Sequence, residues 1–317
     1  MRYRAAIAFV LTVAVVVVPM ALATKTAPKD FTCPLDKEAF TGRVLVSTNT
    51  FGGVDSDFCP WARGESSLTC GVQVCPKCFY ARKSEDFDKA VGTLSEPKLK
   101  AAVANWRKKH PKVKTVDDLT PAQRWELAAV CAVVRHNHAP IVGNLWLRAA
   151  WAERHRGLAS LNMALGDPMS SFEELDGLVM DLDEIKDAKK RVDATFKTAM
   201  LAQRVGELKR RDAFFKQLDK MKLDRVQSDR LKALKAVVAA EARYQKLALT
   251  AFKRAIDEET VKAAETHVYL FLIADTTRRL GRNAEAVKLY QQAQKAGKVR
   301  PDIRRMCAFM VNWLTDG

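Results

Sequence analysis

Five of the seven cysteines fall within the 46 residues that run from Cys33 to Cys78, with Cys59, Cys70 and Cys75 between them. Cys75-Pro76-Lys77-Cys78 reads as a knuckle. Two thiolates on one tight turn reach a tetrahedral ion from the same side, which suits zinc. A four-cysteine site needs a second knuckle, and Cys33-Pro34-Leu35-Asp36 stands where one is needed, with Asp36 at its second position. One reading is a structural Zn2+ on Cys33, Cys75 and Cys78, completed by Asp36, Cys59 or Cys70. Structural disulfides are another, leaving one odd thiol in an oxidising compartment. A redox-active Cys-x-x-Cys pair is the third, although no thioredoxin-like βαβ pattern surrounds it. As zinc ligands or as disulfides, the cysteines staple a segment too small to hold itself together.

Other reactive residue types give weaker signals. Asp55 and Asp57 are paired carboxylates of the kind used for metal or acid-base work. Beside Gly52-Gly53, their expected role is to cap turns through nearby backbone N–H groups. His136 and His138 lie in a loop between two helical patterns, where a solvated or capping role is expected. Cys131 and Cys307 sit on apolar helix faces as small buried hydrophobes. The chain has no phosphate-cradling glycine loop, no Gly-x-Ser-x-Gly elbow and no His-Glu-x-x-His helix.

The elements that must position these residues divide by composition. Arg2 and Arg4, the apolar run Ala5 to Met20 and the small residues of Ala21-Leu22-Ala23 follow the order of a secretory signal, predicting cleavage after residue 23 and an exported, periplasmic or secreted chain. An uncleaved N-terminal anchor is the alternative. Residues 24–90 carry nine basic and nine acidic side chains, with short strand-like runs at Val44-Leu45-Val46 and Val72-Gln73-Val74 and turns at Gly52-Gly53 and Arg63-Gly64. The net charge is +16 overall; the signal accounts for two arginines, so +14 lies in residues 91–317. Outside the cytoplasm this excess does not indicate nucleic acid. It reads as a solvated helical surface, pairs such as Arg210-Arg211 and Arg278-Arg279 included, or as a groove for an anionic partner.

Residues 91–317 follow helical spacing. Thr120-Pro121-Ala122-Gln123 is a capping box with proline at the first helical position, opening a hairpin over 121–155. Ser171-Phe172-Glu173-Glu174 opens another helix, and amphipathic stretches run from Phe196 to Met221 and from Leu231 to Phe252. The clearest hairpin begins at His267: Leu270, Ile273 and Ala274 on one helix, a turn at Leu280-Gly281, then Ala286, Tyr290 and Ala293. These positions resemble the tetratricopeptide consensus, with Thr277 departing from it. Pro301 to Leu314 is the expected capping helix.

From Cys33-Pro34, through Ser47-Thr48-Asn49-Thr50-Phe51-Gly52-Gly53-Val54-Asp55-Ser56-Asp57, to Cys75-Pro76-Lys77-Cys78, the chain resembles the bacterial family known as domain of unknown function 2225, well over residues 31–155 and more loosely beyond. The resemblance implies a Cys-Pro-x-Cys near the start, an Asp-x-Asp segment, a second knuckle and then tetratricopeptide-like helices; it implies no chemistry. Asp36 departs from the pattern where a cysteine is expected, and Phe79 where a glycine is expected.

The expected architecture is mainly α: a small cysteine-rich, zinc-ribbon-like β module (24–90) ahead of tetratricopeptide-like helical hairpins (91–317). The expected function is a non-catalytic exported scaffold or adaptor, binding a protein or peptide partner of the cell envelope. Two alternatives stand beside it: a metal- or thiol-dependent envelope enzyme using Cys75, Cys78, Asp55 and Asp57, and a binder of anionic envelope polymer or lipid.

Overall fold

The computed structural model describes residues 24–62, 64–159 and 168–316. The signal read at residues 1–23, and Arg63 of one expected turn, lie outside them. Two antiparallel ribbons come first. β1 (Lys25–Thr32) pairs with β2 (Ala39–Ser47), placing Phe31 opposite Phe40, and β3 (Val72–Val74) pairs with β4 (Ala81–Lys83). β2 and β3 hold the expected β-branched runs. β1 begins in the polar stretch Thr24 to Asp30, which carries no strand signal of its own; pairing with β2 makes it a strand. Phe31, Phe40 and Phe87 meet with ring centroids 5.4–5.8 Å apart, fastening the first ribbon to the segment after the second.

Ten α-helices follow among the described residues. They are α1 (Glu96–Lys109), α2 (Pro121–Val134), α3 (Ala139–Ala159), α4 (Pro168–Leu182) and α5 (Ala188–Val205), then α6 (Leu208–Lys220), α7 (Arg225–Asp257), α8 (Thr266–Arg279), α9 (Asn283–Lys295) and α10 (Pro301–Asp316). The capping box that opens α2 forms in both directions. The Gln123 N–H donates to the Thr120 hydroxyl at 3.2 Å, and the Thr120 N–H donates to the Gln123 side chain at 2.9 Å. Helix α4 starts three residues ahead of Ser171. The stretch Phe196 to Met221 spans a helical hairpin, because Gly206 takes φ +84° and ends α5.

Sequential pairs α2–α3, α5–α6 and α8–α9 pack together, and α10 closes on α9. The turn at Leu280-Gly281 forms, and Ala286, Tyr290 and Ala293 are fully buried. The most extensive helix contact nevertheless joins α3 to α7, which are remote in sequence. In a regular solenoid each repeat touches its neighbours alone. Here the 33-residue α7, about 50 Å long at 1.5 Å per residue, is a spine to which an early hairpin returns. None of the described helices is long and apolar enough to cross a membrane.

One hydrophobic core crosses the compositional boundary at residue 90. It joins Phe31, Leu68, Val72 and Tyr80 to Trp125, Trp151, Tyr244 and Phe252. Trp125 seats the second ribbon directly: its Nε1–H donates to the Leu68 carbonyl at 2.8 Å. Gly71 is needed there, since a Cβ would lie 2.5 Å from the indole.

Candidate metal centre and a buried charge cluster

The two knuckles adopt the same backbone. The Cys33 N–H donates to Glu38 O (2.8 Å) and the Lys37 N–H to Cys33 O (3.0 Å). In the second knuckle the Cys75 N–H donates to Tyr80 O (2.9 Å) and the Phe79 N–H to Cys75 O (3.0 Å). Each turn is completed by a residue in the left-handed region, Lys37 at φ 63° and Phe79 at φ 61°. That conformation explains why glycine is the residue expected at Phe79. Phe79 bears it while its ring is buried under the Arg107 guanidinium. By this correspondence Asp36 stands where Cys78 stands in the other turn.

The knuckles bring Cys33, Asp36, Cys75 and Cys78 together, one ligand atom from each lying within 4.8 Å of all the others. Cys33 Sγ is 3.6 Å from Cys78 Sγ, and Cys75 Sγ is 3.6 Å from both Asp36 oxygens. A tetrahedral ion with metal–sulfur bonds of about 2.3 Å spaces its ligands about 3.8 Å apart. These four donors can therefore hold a metal ion with little movement. All seven cysteines are free thiols, so the disulfide reading gives way. Of the three candidates for the fourth position, Asp36 is the one brought to the thiols: Cys59 contacts His155, and Cys70 points back to the Ser67 carbonyl. Hydrogen bonds among the thiols draw Cys75 down to about 2 and push Cys33 up to about 12. A cation would allow all three sulfurs to ionise.

Asp55 and Asp57 lie in a different cluster, and turn capping is a small part of what they do. Asp55 accepts from Trp61 Nε1 (2.8 Å), Arg204 Nε (2.6 Å) and Arg154 Nη1 (2.8 Å). Asp57 accepts from Trp151 Nε1 (3.0 Å) and twice from Arg154 (2.7 and 3.0 Å), with a long cap to the Cys59 N–H (3.4 Å). Between them, the Ser56 hydroxyl donates to Asp275 and accepts from Arg278 and Arg279 at 3.1 and 2.9 Å. The far side of Arg154 is held by Glu241, which also accepts from Gln203 and Gln245. Four arginines (154, 204, 278, 279) face four acids (Asp55, Asp57, Asp275, Glu241), and none of the eight is more than 3% exposed. Burial opposes ionisation of Asp57, but Arg154 and Arg279 outweigh it and hold the carboxyl well below its usual range.

The model of a bacterial family described as an uncharacterized protein conserved in bacteria, DUF2225, matches residues 26–235. The chain belongs to this family. The matched region runs beyond residue 155, through both knuckles and into α7, leaving α8–α10 outside. No curated protein and no solved structure matches the chain. The geometry gives this DUF2225 chain's Asp-Ser-Asp segment a physical role: three consecutive side chains bind α3, α5 and α8 to one loop.

Arg278 and Arg279 correct the expectation of a solvated basic surface at that pair, because both are buried ion-pair partners. They also cap α5: Arg278 donates to Val205 O and Arg279 to Arg204 O, each at 2.7 Å. Sequence reasoning did not single out Arg154, Arg204, Asp275 or Glu241. Each belongs to a helix, and charge on a helix is ordinarily solvated. His155 was also missed. Its Nε2 is 3.4 Å from Cys59 Sγ, its Nδ1 is 3.1 Å from Ser66 Oγ, and its ring stacks on Trp61 at 3.8 Å. Burial pushes His155 down to about 4 and the Cys59 thiol well up, so both are neutral near pH 7. With Cys59 at 0% exposure, its sulfur is closed to solvent. His136 and His138 are exposed in their loop, while Cys131 and Cys307 are fully buried, as expected.

Proposed function

We propose that this chain is a non-catalytic, exported scaffold or adaptor of the cell envelope, holding a protein or peptide partner on its helical body. The observation that carries this reading is that its reactive residue types are bound to one another. Cys33, Asp36, Cys75 and Cys78 form a complete four-donor set, which marks a structural rather than a catalytic metal site, since catalytic sites keep a coordination position open. Asp55 and Asp57 are enclosed by arginines, in a cluster separate from Cys75 and Cys78. The enzyme reading needs those four residues to act together, and their separation weighs against it. The metal in this proposal is a single structural Zn2+.

Intact mass of the exported protein, under native and denaturing conditions, tests the first half. The expected result is loss of residues 1–23 and one zinc per chain, released on denaturation, with no disulfide. Cross-linking of the exported protein followed by purification tests the second half, and a single defined envelope protein is the expected product. Repeated capture of no specific partner would sink the scaffold. A turnover lost in Cys75→Ser while the thermal midpoint stays unchanged would favour an enzyme.

A further inference from the structure

Helices α6 and α7 are consecutive and meet through a buried cluster of Phe215, Leu218, Leu231 and Leu234. Between them lies a cavity of about 560 Å³, floored by Phe215, Val238 and Ala242, with Leu280 at one end. It continues at both ends. One neighbouring cavity, about 440 Å³, shares Lys246 and Leu280 with it; the other, about 410 Å³, shares Asp219 and Lys235. Along α7 the lining residues recur every three or four positions from Ser228 to Lys253, so one face of the helix forms the wall of a single groove. That interval spans about 37 Å at 1.5 Å per residue, the length of about eleven extended residues.

Cations outnumber acids along the groove. Arg211, Lys216, Lys235 and Lys246 line its centre, Lys222 and Lys232 one end, and Lys253 and Arg282 the other. Against these eight cations the lining offers two acids, Asp212, paired with Arg211, and Asp219, paired with Lys235; two more acids pair with the end cations, Asp229 with Lys232 and Glu285 with both Lys253 and Arg282. Lys216 and Lys246 have no acidic partner among the described residues. Below the rim, buried Gln203, Gln245 and Arg279 join the groove to the charge cluster, which fixes the floor.

We propose that this groove is the docking site of the partner, and that the partner presents an extended peptide in which acidic and apolar side chains alternate. The proposal rests on the scaffold reading and specifies its partner. Spaced cations select acidic side chains at intervals, and the apolar floor between them selects an uncharged residue next to each acid. A uniformly charged polymer would satisfy the rim and leave the floor bare, so a peptide fits better than an anionic polymer.

The test titrates the full chain into a dye-labelled peptide of Glu-Val-Glu-Ser repeated three times, read by fluorescence anisotropy. Saturable binding is expected, weakening about tenfold or more in the double variant Lys235→Glu/Lys246→Glu and also in Ala242→Phe, which fills the floor without changing charge. Far-UV circular dichroism on heating verifies that each variant is folded. If Ala242→Phe does not fold, the charge variant, built on exposed lysines, decides the matter. Absence of saturable binding overturns the proposal, as does undiminished affinity in the folded variants. Polyphosphate competing as well as unlabelled peptide would overturn it too, by making the groove a plain polyanion site. An envelope protein that cross-links equally to the double variant would leave the scaffold standing and remove the groove. Peptide binding that meets every criterion, without any defined partner in the envelope, would do the reverse.

Discussion

Arg154 sits between three acids of the buried charge cluster. It reaches Asp55, Asp57 and Glu241 at 2.7–2.8 Å with no exposed surface. A buried ion pair is weak evidence of net stability, but removing one partner leaves uncompensated charge in a low dielectric. Arg154→Met is therefore expected to cost about 3–5 kcal/mol, measured as the shift of the urea unfolding midpoint; a loss within about 1 kcal/mol would mean that the cluster readily admits water. His155 sets a pH response. Its folded value is about 4 against 6.5 for the free side chain, with burial the leading cause. As pH falls from about 6.5 to about 4, the unfolded chain takes up the proton first, so stability present above that window is lost across it, by about 3 kcal/mol. His155→Gln is expected to flatten this part of the stability–pH curve. Asp57 acts in the same sense at lower pH: its contribution is present above the ordinary carboxylate range and fades as pH falls through its lowered value.

At the scale of elements, the end of α5 and the end of α8 are a single joint. Gly206 lets α5 turn off at φ +84°, and the first atom of any side chain there would lie 2.5 Å from Arg278 Nη1, the group that caps Val205 O. Gly206→Ala is expected to destabilise by about 2 kcal/mol or more, through backbone strain and displacement of that cap. A thermal midpoint unchanged by the substitution would contradict the joint. The knuckles are elements of the same kind, turns closed by matching backbone hydrogen bonds. Asp36 takes the position of Cys78 in that shared turn, and its carboxylate also accepts from the Glu38 N–H at 3.1 Å.

For the whole molecule, the candidate metal centre and the charge cluster divide the work of holding the β module. The knuckles close it internally, while Asp55, Ser56 and Asp57 clamp it to three helices. Removing metal with a chelator is expected to loosen residues 33–36 and 75–79 in amide hydrogen exchange and to leave protection in α3 and α8 close to its original level. Loss of protection throughout would mean that the centre and the clamp unfold as one unit.

Much of this architecture was legible in residue types and spacing. Local rules act within a few residues, so the capping box at Thr120, the turn at Gly281 and both knuckles could be read in place. Asp36 could be read as a ligand because a knuckle fixes which position faces the ion. Arg278-Arg279 could not be read correctly, since two adjacent arginines on a helix look the same whether water or Asp275 receives them. Asp275 is only three and four residues away, but whether that pair is solvated or buried depends on groups 75 to 223 residues away, as Arg279 shows with Arg204 and Ser56. The amino-acid sequence by itself determined the helices, the turns and the candidate metal donors, because short-range sterics and hydrogen bonding decide those. Only the tertiary structure decided that Asp55 and Asp57 are the centre of a buried ion-pair cluster, because desolvation and charge compensation depend on which distant side chains arrive.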